Sequence, residues 1–290
     1  MTAPMRNAMT VDVEEHFQVQ AFAHCIDRGS WDSIATRVEA NVDRILEQFA
    51  ATRVHATFFT LGWIAERHQG MIHRIVAAGH ELASHGYDHT RADIQDRVAF
   101  RADVRRSRQL LEDVGGVPVK GYRAATFSIG ASNQWAFEVL EEEGYDYSSS
   151  VNPISHDLYG MPKASRLPYR PCGGRLCEIP MTTLRALGRN WPCSGGGYFR
   201  LLPYSAFRLA LASVNRAGQA GVFYFHPWEV DPAQPRIANC GWKSRFRHYN
   251  NLSEMSGRLH RLLHDFAWDR IDQVFADSIT GPSPGLDVAA

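Results

Sequence analysis

The chain has 290 residues, with 31 Lys plus Arg against 31 Asp plus Glu and a formal net charge of zero. That balance argues against a protein whose main task is coating nucleic acid or anionic membrane, because such binding needs surplus positive charge. A hydrophobic share of 44% with 21% charged residues excludes disorder, and no apolar run reaches the length of a membrane span.

The first ten residues, MTAPMRNAMT, lack the apolar core of a secretory signal and read as a frayed leader. Strands are expected at 10–13, 56–60, 121–123 and 222–225, where β-branched and aromatic residues cluster. The first helix is expected where Val38, Val42, Ile45, Leu46 and Phe49 form one apolar face. A second is expected at 64–78. Phe100, Val104, Ser107, Leu111 and Val114 mark another, whose Arg101, Arg105, Arg106 and Arg108 read as a solvated face beside Asp103 and Glu112. Further helices are expected at 135–143, 204–214 and 255–266.

Strands alternating with helices predict an α/β fold with a parallel sheet, open or closed into a barrel. No G-x-G-x-x-G follows the first strand, which argues against a dinucleotide site. The stretch from Ser148 to Gly197 is rich in Gly, Pro and Ser and reads as an irregular insertion. No linker divides the chain, so one domain is expected over 1–290, with a core at about 8–230 and a C-terminal extension at about 231–280. Five scattered cysteines (Cys25, Cys172, Cys177, Cys193, Cys240) read as reduced thiols of a cytoplasmic protein. Cys172 and Cys177 lack a second half-site for zinc.

Three patches carry chemistry. In T-V-D-V-E-E-H (Thr10 to His16), Asp12 and Glu14 are two apart and share one face at a strand's carboxyl end. In S-H-G-Y-D-H-T (Ser84 to Thr90), His85 and His89 are four apart, a spacing that sets two imidazoles on one side of a helical turn. Gly86 stands where a zincin has Glu, so Glu14 is the candidate third ligand. Two His and one carboxylate form a metal site with open positions. In F-Y-F-H-P-W-E (Phe223 to Glu229), a buried aromatic strand delivers His226 at its end, with Pro227 favouring extended backbone there. Arg123, at the end of a fourth strand, needs a carboxylate partner, and Asp12 is the candidate. The other histidines read mostly as surface or helix-face residues.

These patches, in this order, resemble the polysaccharide deacetylase family (carbohydrate esterase family 4, the NodB-homology domain). The segments G-H-E-L-A-S-H-G-Y-D-H (Gly79 to His89) and G-Y-R-A-A-T-F-S-I (Gly121 to Ile129) carry the likeness most specifically. G-G-G-Y-F-R-L-L-P-Y, F-H-P-W-E-V-D-P and F-R-H-Y-N-N-L look like its exopolysaccharide and exosortase-associated branch. The resemblance implies a distorted (β/α) barrel of about seven parallel strands and metal-dependent removal of N-acetyl groups from N-acetylated sugars of a polysaccharide. It further implies Asp12 as general base, Glu14, His85 and His89 as ligands of a divalent metal (Zn²⁺ being the expectation), and Arg123 as partner of the base. His226 would be the general acid and the backbone N–H near Thr126 the oxyanion donor. Trp228 and Tyr198 are candidates for stacking on a sugar ring.

Two positions depart from the family pattern. Ala125 stands where proline is usual, and Ser148 stands where an aspartate that tunes the histidine is common, with Asp146 a candidate substitute. Three alternatives stay open. The same scaffold would serve hydrolysis of another amide such as a cyclic ureide. Two His and one carboxylate also hold Fe(II) in oxygenases, though usually on another fold. A non-catalytic glycan-binding relative would explain the two departures.

Overall fold

The computed structural model describes residues 5–237 and 239–281. Its sheet begins with β1 (Arg6–Val13), which is buried from Asn7 onward and starts inside the stretch expected to fray. The other parallel strands are β2 (Thr57–Thr60), β3 (Glu81–Ser84), β4 (Gly121–Tyr122), β5 (Tyr147–Ser148), β6 (Cys177–Glu178), β9 (Val222–Phe225) and β10 (Ala267–Asp269). Between them β7 (Thr183–Ala186) and β8 (Arg189–Pro192) form an antiparallel hairpin. β9 pairs with β1 at Ala8 to Val11, and β1 continues through β2, β3, β4 and β5 to β6. These seven parallel strands curl into a half-barrel, the expected α/β architecture.

The strands are buried along nearly their whole length because both faces are covered, as a parallel sheet with helices outside requires. The helix Val38–Thr52 buries Val38, Val42, Ile45 and Phe49. The helix Arg97–Gly115 buries Phe100, Val104, Ser107 and Leu111. Its arginines are indeed outward: Arg101 and Arg105 pair with Glu143, and Arg108 with Glu112. The helix expected at 64–78 is two, Gly62–Arg67 and Gln69–Ala77, because His68 leaves helical geometry at φ −125° and ψ 48°.

Three expectations need correction. The C-terminal segment is helical at Leu252–Asp265, but it also adds β10, which pairs with Arg6 to Ala8 of β1. A three-residue strand beside a long helix leaves no periodic signal. Cys25 and Cys240 are joined as a disulfide across 215 residues of sequence, a proximity only the fold creates. Cys172, Cys177 and Cys193 are free. Finally His16, His80 and His248 are buried, not on the surface.

Candidate active site

The carboxyl ends of β1, β3 and β9 converge, with the segment after β4, on a cavity of about 150 Å³ lined by Asp12, Glu14, His85, His89, Thr126 and His226 among others. The polar residues Thr10, Asp12, Glu14 and Glu15 of T-V-D-V-E-E-H meet different partners. Asp12 Oδ1 accepts from Arg123 Nη1 at 2.6 Å, the partnership expected from sequence. Arg123 is fully buried, and it also donates to Thr10 Oγ1 at 2.8 Å and to Ser149. So saturated a guanidinium fixes the Asp12 carboxylate in place. Glu15 turns away and caps the helix Val38–Thr52 by accepting from the Arg37 and Val38 N–H groups.

Glu14, His85 and His89 bring their ligand atoms within 4.8 Å of one another. His85 and His89 do not share a helical turn, as their spacing suggested. They lie in the loop after β3, where positive φ at Gly86 (78°) and His89 (60°) curls the chain and brings the ring centroids to 5.4 Å. The loop is pinned from the arginine-rich helix: Tyr87 N–H donates to Asp103 at 2.8 Å, and Ser107 Oγ donates to the Gly86 carbonyl at 3.0 Å. His85 Nδ1 donates to the Arg123 carbonyl at 2.8 Å, which leaves Nε2 with its lone pair free. Burial pushes the His85 pKa down to about 4, so its imidazole is neutral near pH 7, the form that binds metal.

The donor set suits a cation. Glu14 Oε2 is buried with no hydrogen-bond partner, although His89 Nε2 lies 2.9 Å away. Two such atoms so close without a hydrogen bond, inside a ring of imidazoles, suit a shared positive ion. Burial would raise the Glu14 carboxyl, but the surrounding His89, His226 and His85 bring it down to about 2. A second trio, His24 with Cys25 and Cys240, has its sulfurs tied in the disulfide.

His226 follows β9 and lines the cavity with its side chain 20% exposed. Its Nδ1 is 2.8 Å from Glu229 Oε1, and its Nε2 is 3.5 Å from Glu14 Oε1. Burial opposes a charge on this ring, yet Glu14 and Glu229, with Asp12, raise its pKa to about 9. The carboxylate that partners His226 is therefore three residues downstream in the same motif. Neither Ser148, whose hydroxyl donates to Ser150, nor Asp146 takes that part. Glu229 is in turn held by buried Arg200, whose Nε donates to Oε2 at 2.7 Å. Gly196 lies so close that a Cβ there would fall 2.3 Å from Glu229 Oε1.

Thr126 lines the cavity in a left-handed conformation, φ 56°. Trp228 lines it too, donating Nε1 to Glu14 at 3.2 Å, but it is buried and stacks on His226 (5.0 Å) and His248 (4.0 Å). It is a wall of the site rather than a platform for sugar. Tyr198 lies in a neighbouring groove, and Tyr159 occupies the cavity wall instead. Sequence reasoning named Glu229 and Arg200 only as parts of motifs, read His248 as a surface or helix-face residue, and passed over Tyr159. The His226–Glu229 spacing was the one signal available for the pair.

A half-barrel of parallel strands with acid, imidazole and arginine gathered at its carboxyl end defines a class of α/β scaffold. Residues 18–148 match the polysaccharide deacetylase family, and residues 149–276 match a domain of unknown function (DUF3473). Residues 18–148 are thus a polysaccharide deacetylase domain of the NodB and carbohydrate esterase 4 type, followed by the second domain. A peptidoglycan deacetylase of Helicobacter pylori is 27% identical over 113 residues, which span 39% of this chain and 38% of that protein. A crystal structure from Mycobacterium smegmatis, assigned as a polysaccharide deacetylase, superimposes with a TM-score of 0.60 at 19% identity, covering 96% of this chain and 93% of that one. No helix among the described residues is long and apolar enough to cross a membrane.

Proposed function

We propose that this chain is a metal-dependent N-deacetylase acting on N-acetylated sugars of a polysaccharide, in line with an exopolysaccharide role. The observation that carries the reading is the convergence, on one small cavity, of Glu14, His85 and His89 with the Asp12–Arg123 pair and the Glu229-bound His226. Glu14, His85 and His89 would hold the divalent ion, for which zinc suits the nitrogen and oxygen donors. When bound, the ion supplies Lewis acidity toward water and an acetamide carbonyl.

In this reading Asp12 is the general base, aimed by Arg123, and it takes the proton of the attacking water. The Thr126 backbone N–H faces the oxygen on which charge develops. His226, protonated and oriented by Glu229, donates to the departing sugar amine. Ala125 keeps the Thr126 turn without the expected proline. The Cys25–Cys240 disulfide weighs against the cytoplasmic expectation, since such bonds persist in oxidising surroundings.

The test is acetate release from N-acetylglucosamine oligomers by the zinc-loaded protein, with an allantoin-like cyclic ureide run in parallel. Acetate from the oligomers and no ring opening is the expected result. Ring opening without acetate would replace the substrate class, and turnover of neither would favour the glycan-binding alternative.

A further inference from the structure

The cavity holding Asp12 and His226, about 150 Å³, is small beside the ~300–1,000 Å³ of sites that enclose whole ligands. A polymer must therefore lie outside it. A groove of about 940 Å³ lies next to it, and the loop 153–162 belongs to both: Tyr159 lines the cavity, while Pro153, Ile154 and Pro162 line the groove. Across the groove stands the β7–β8 hairpin, contributing Arg185, Arg189 and Trp191. Trp191 Nε1 donates to the Ala186 carbonyl at 3.2 Å, which fixes the indole while half of its surface stays exposed.

The charge here is one-sided. Residues 161–192 contain Lys163, Arg166, Arg170, Arg175, Arg185 and Arg189 against Glu178 alone, in a chain that is neutral overall. Glu178 is buried within the sheet. Lys163 and Arg166 line a depression that shares Pro162, Arg185 and Asn190 with the groove. Among the described residues, the ion pairs of this stretch do not include Lys163, Arg166, Arg185 or Arg189. A fixed aromatic beside uncompensated guanidinium groups suits a ligand with both an apolar ring face and carboxylates.

We propose that this groove binds the polysaccharide strand, and that the strand is anionic: Trp191 stacks on a sugar ring while Arg185 and Arg189 pair with uronate-type carboxylates. The assignment rests on the deacetylase reading for the identity of the ligand as a glycan. A lipid surface is the poorer match, because a flat bilayer does not enter a concave groove.

The experiment uses the full zinc-loaded chain with an N-acetylated oligosaccharide carrying uronates and a neutral N-acetylglucosamine oligomer of equal length. Trp191→Ala and the Arg185→Ser/Arg189→Ser double variant change an exposed hairpin and leave the cavity intact. Each should raise Kd and KM for the anionic oligomer about tenfold, equivalent to about 1.4 kcal/mol. For the neutral oligomer the Arg185→Ser/Arg189→Ser variant should keep kcat and both constants within about twofold, whereas Trp191→Ala should raise Kd and KM here as well. An unchanged Kd for the anionic oligomer in either variant, an equal loss on both oligomers in the arginine variant, or displacement of the anionic oligomer by anionic phospholipid vesicles would each overturn the proposal. Binding is measured separately from turnover, so a chain that binds the anionic oligomer through Trp191 yet releases no acetate refutes the deacetylase reading alone.

Discussion

His226 has two carboxylate neighbours with different duties. Glu14 belongs to the proposed metal-ligand set, whereas Glu229 contacts the far side of the imidazole and is anchored by Arg200. Replacing His226 with Ala should lower kcat by about 10²–10⁴-fold, the usual worth of a general acid, with zinc content unchanged. Activity that needs a protonated His226 should fall at alkaline pH, with a limb no higher than about 9, because Glu14 contributes to that value. Glu229→Gln should move the limb to lower pH, since a hydrogen-bonded carboxylate favours the imidazolium. It should also cost stability, about 3–5 kcal/mol, by stranding buried Arg200. A pH–rate profile with a denaturation curve separates the two effects, and an unmoved limb in a folded variant would remove Glu229 from the mechanism. At the metal end, Asp12→Asn should retain zinc and lose turnover, whereas His89→Ala should lose both. Zinc analysis beside acetate assays decides this, and full occupancy in His89→Ala would dismiss the ligand set.

At the scale of elements, the site depends on short connections packed from behind. The T-V-D-V-E-E-H tail was legible because strand alternation alone sets Asp12 and Glu14 on one face. Arg123 was legible because a buried guanidinium requires a carboxylate. The loop of His85 and His89 was legible in residue type but not in conformation. Its shape comes from left-handed Gly86 and His89 and from Asp103 and Ser107 on a distant helix, none of which leaves a local pattern. β3 has only four residues and β10 three, too few for a period to show. The helix Gly196–Leu201 makes a close approach, carrying Arg200 to Glu229 while Gly196 clears room for the carboxylate. Gly196→Ala should destabilise the protein by about 1–3 kcal/mol, as overpacking does. It should lower activity through a displaced Glu229, measured by chemical denaturation and acetate release. A variant with native stability and turnover would mean that this contact is looser than it stands here.

At the scale of the whole molecule, buried neutral histidines link the fold to pH. His80 accepts from the Ala56 N–H through Nδ1, and burial lowers its pKa from the ordinary 6.5 to about 4. Below 6.5 the unfolded chain takes up a proton that the folded chain refuses, so stability from this group is lost as pH falls from about 6.5 to about 4. Over that window the loss amounts to at most about 3 kcal/mol. A His80→Gln variant should therefore gain on the native protein as pH falls from 6.5 to 4, read as Tm at each pH. A difference that stays constant over that range would mean that His80 titrates normally in the folded chain.

The same scale carries the central claim, that one half-barrel end assembles a metal-dependent deacetylase from β1, β3, β4 and β9. The most direct measurement is acetate release from an N-acetylglucosamine oligomer by chelator-stripped protein titrated with zinc. Activity should be absent in the stripped protein and should rise to a plateau at one zinc per chain, while His89→Ala stays flat throughout. Acetate release that survives chelation, or none at any zinc concentration, would contradict the account.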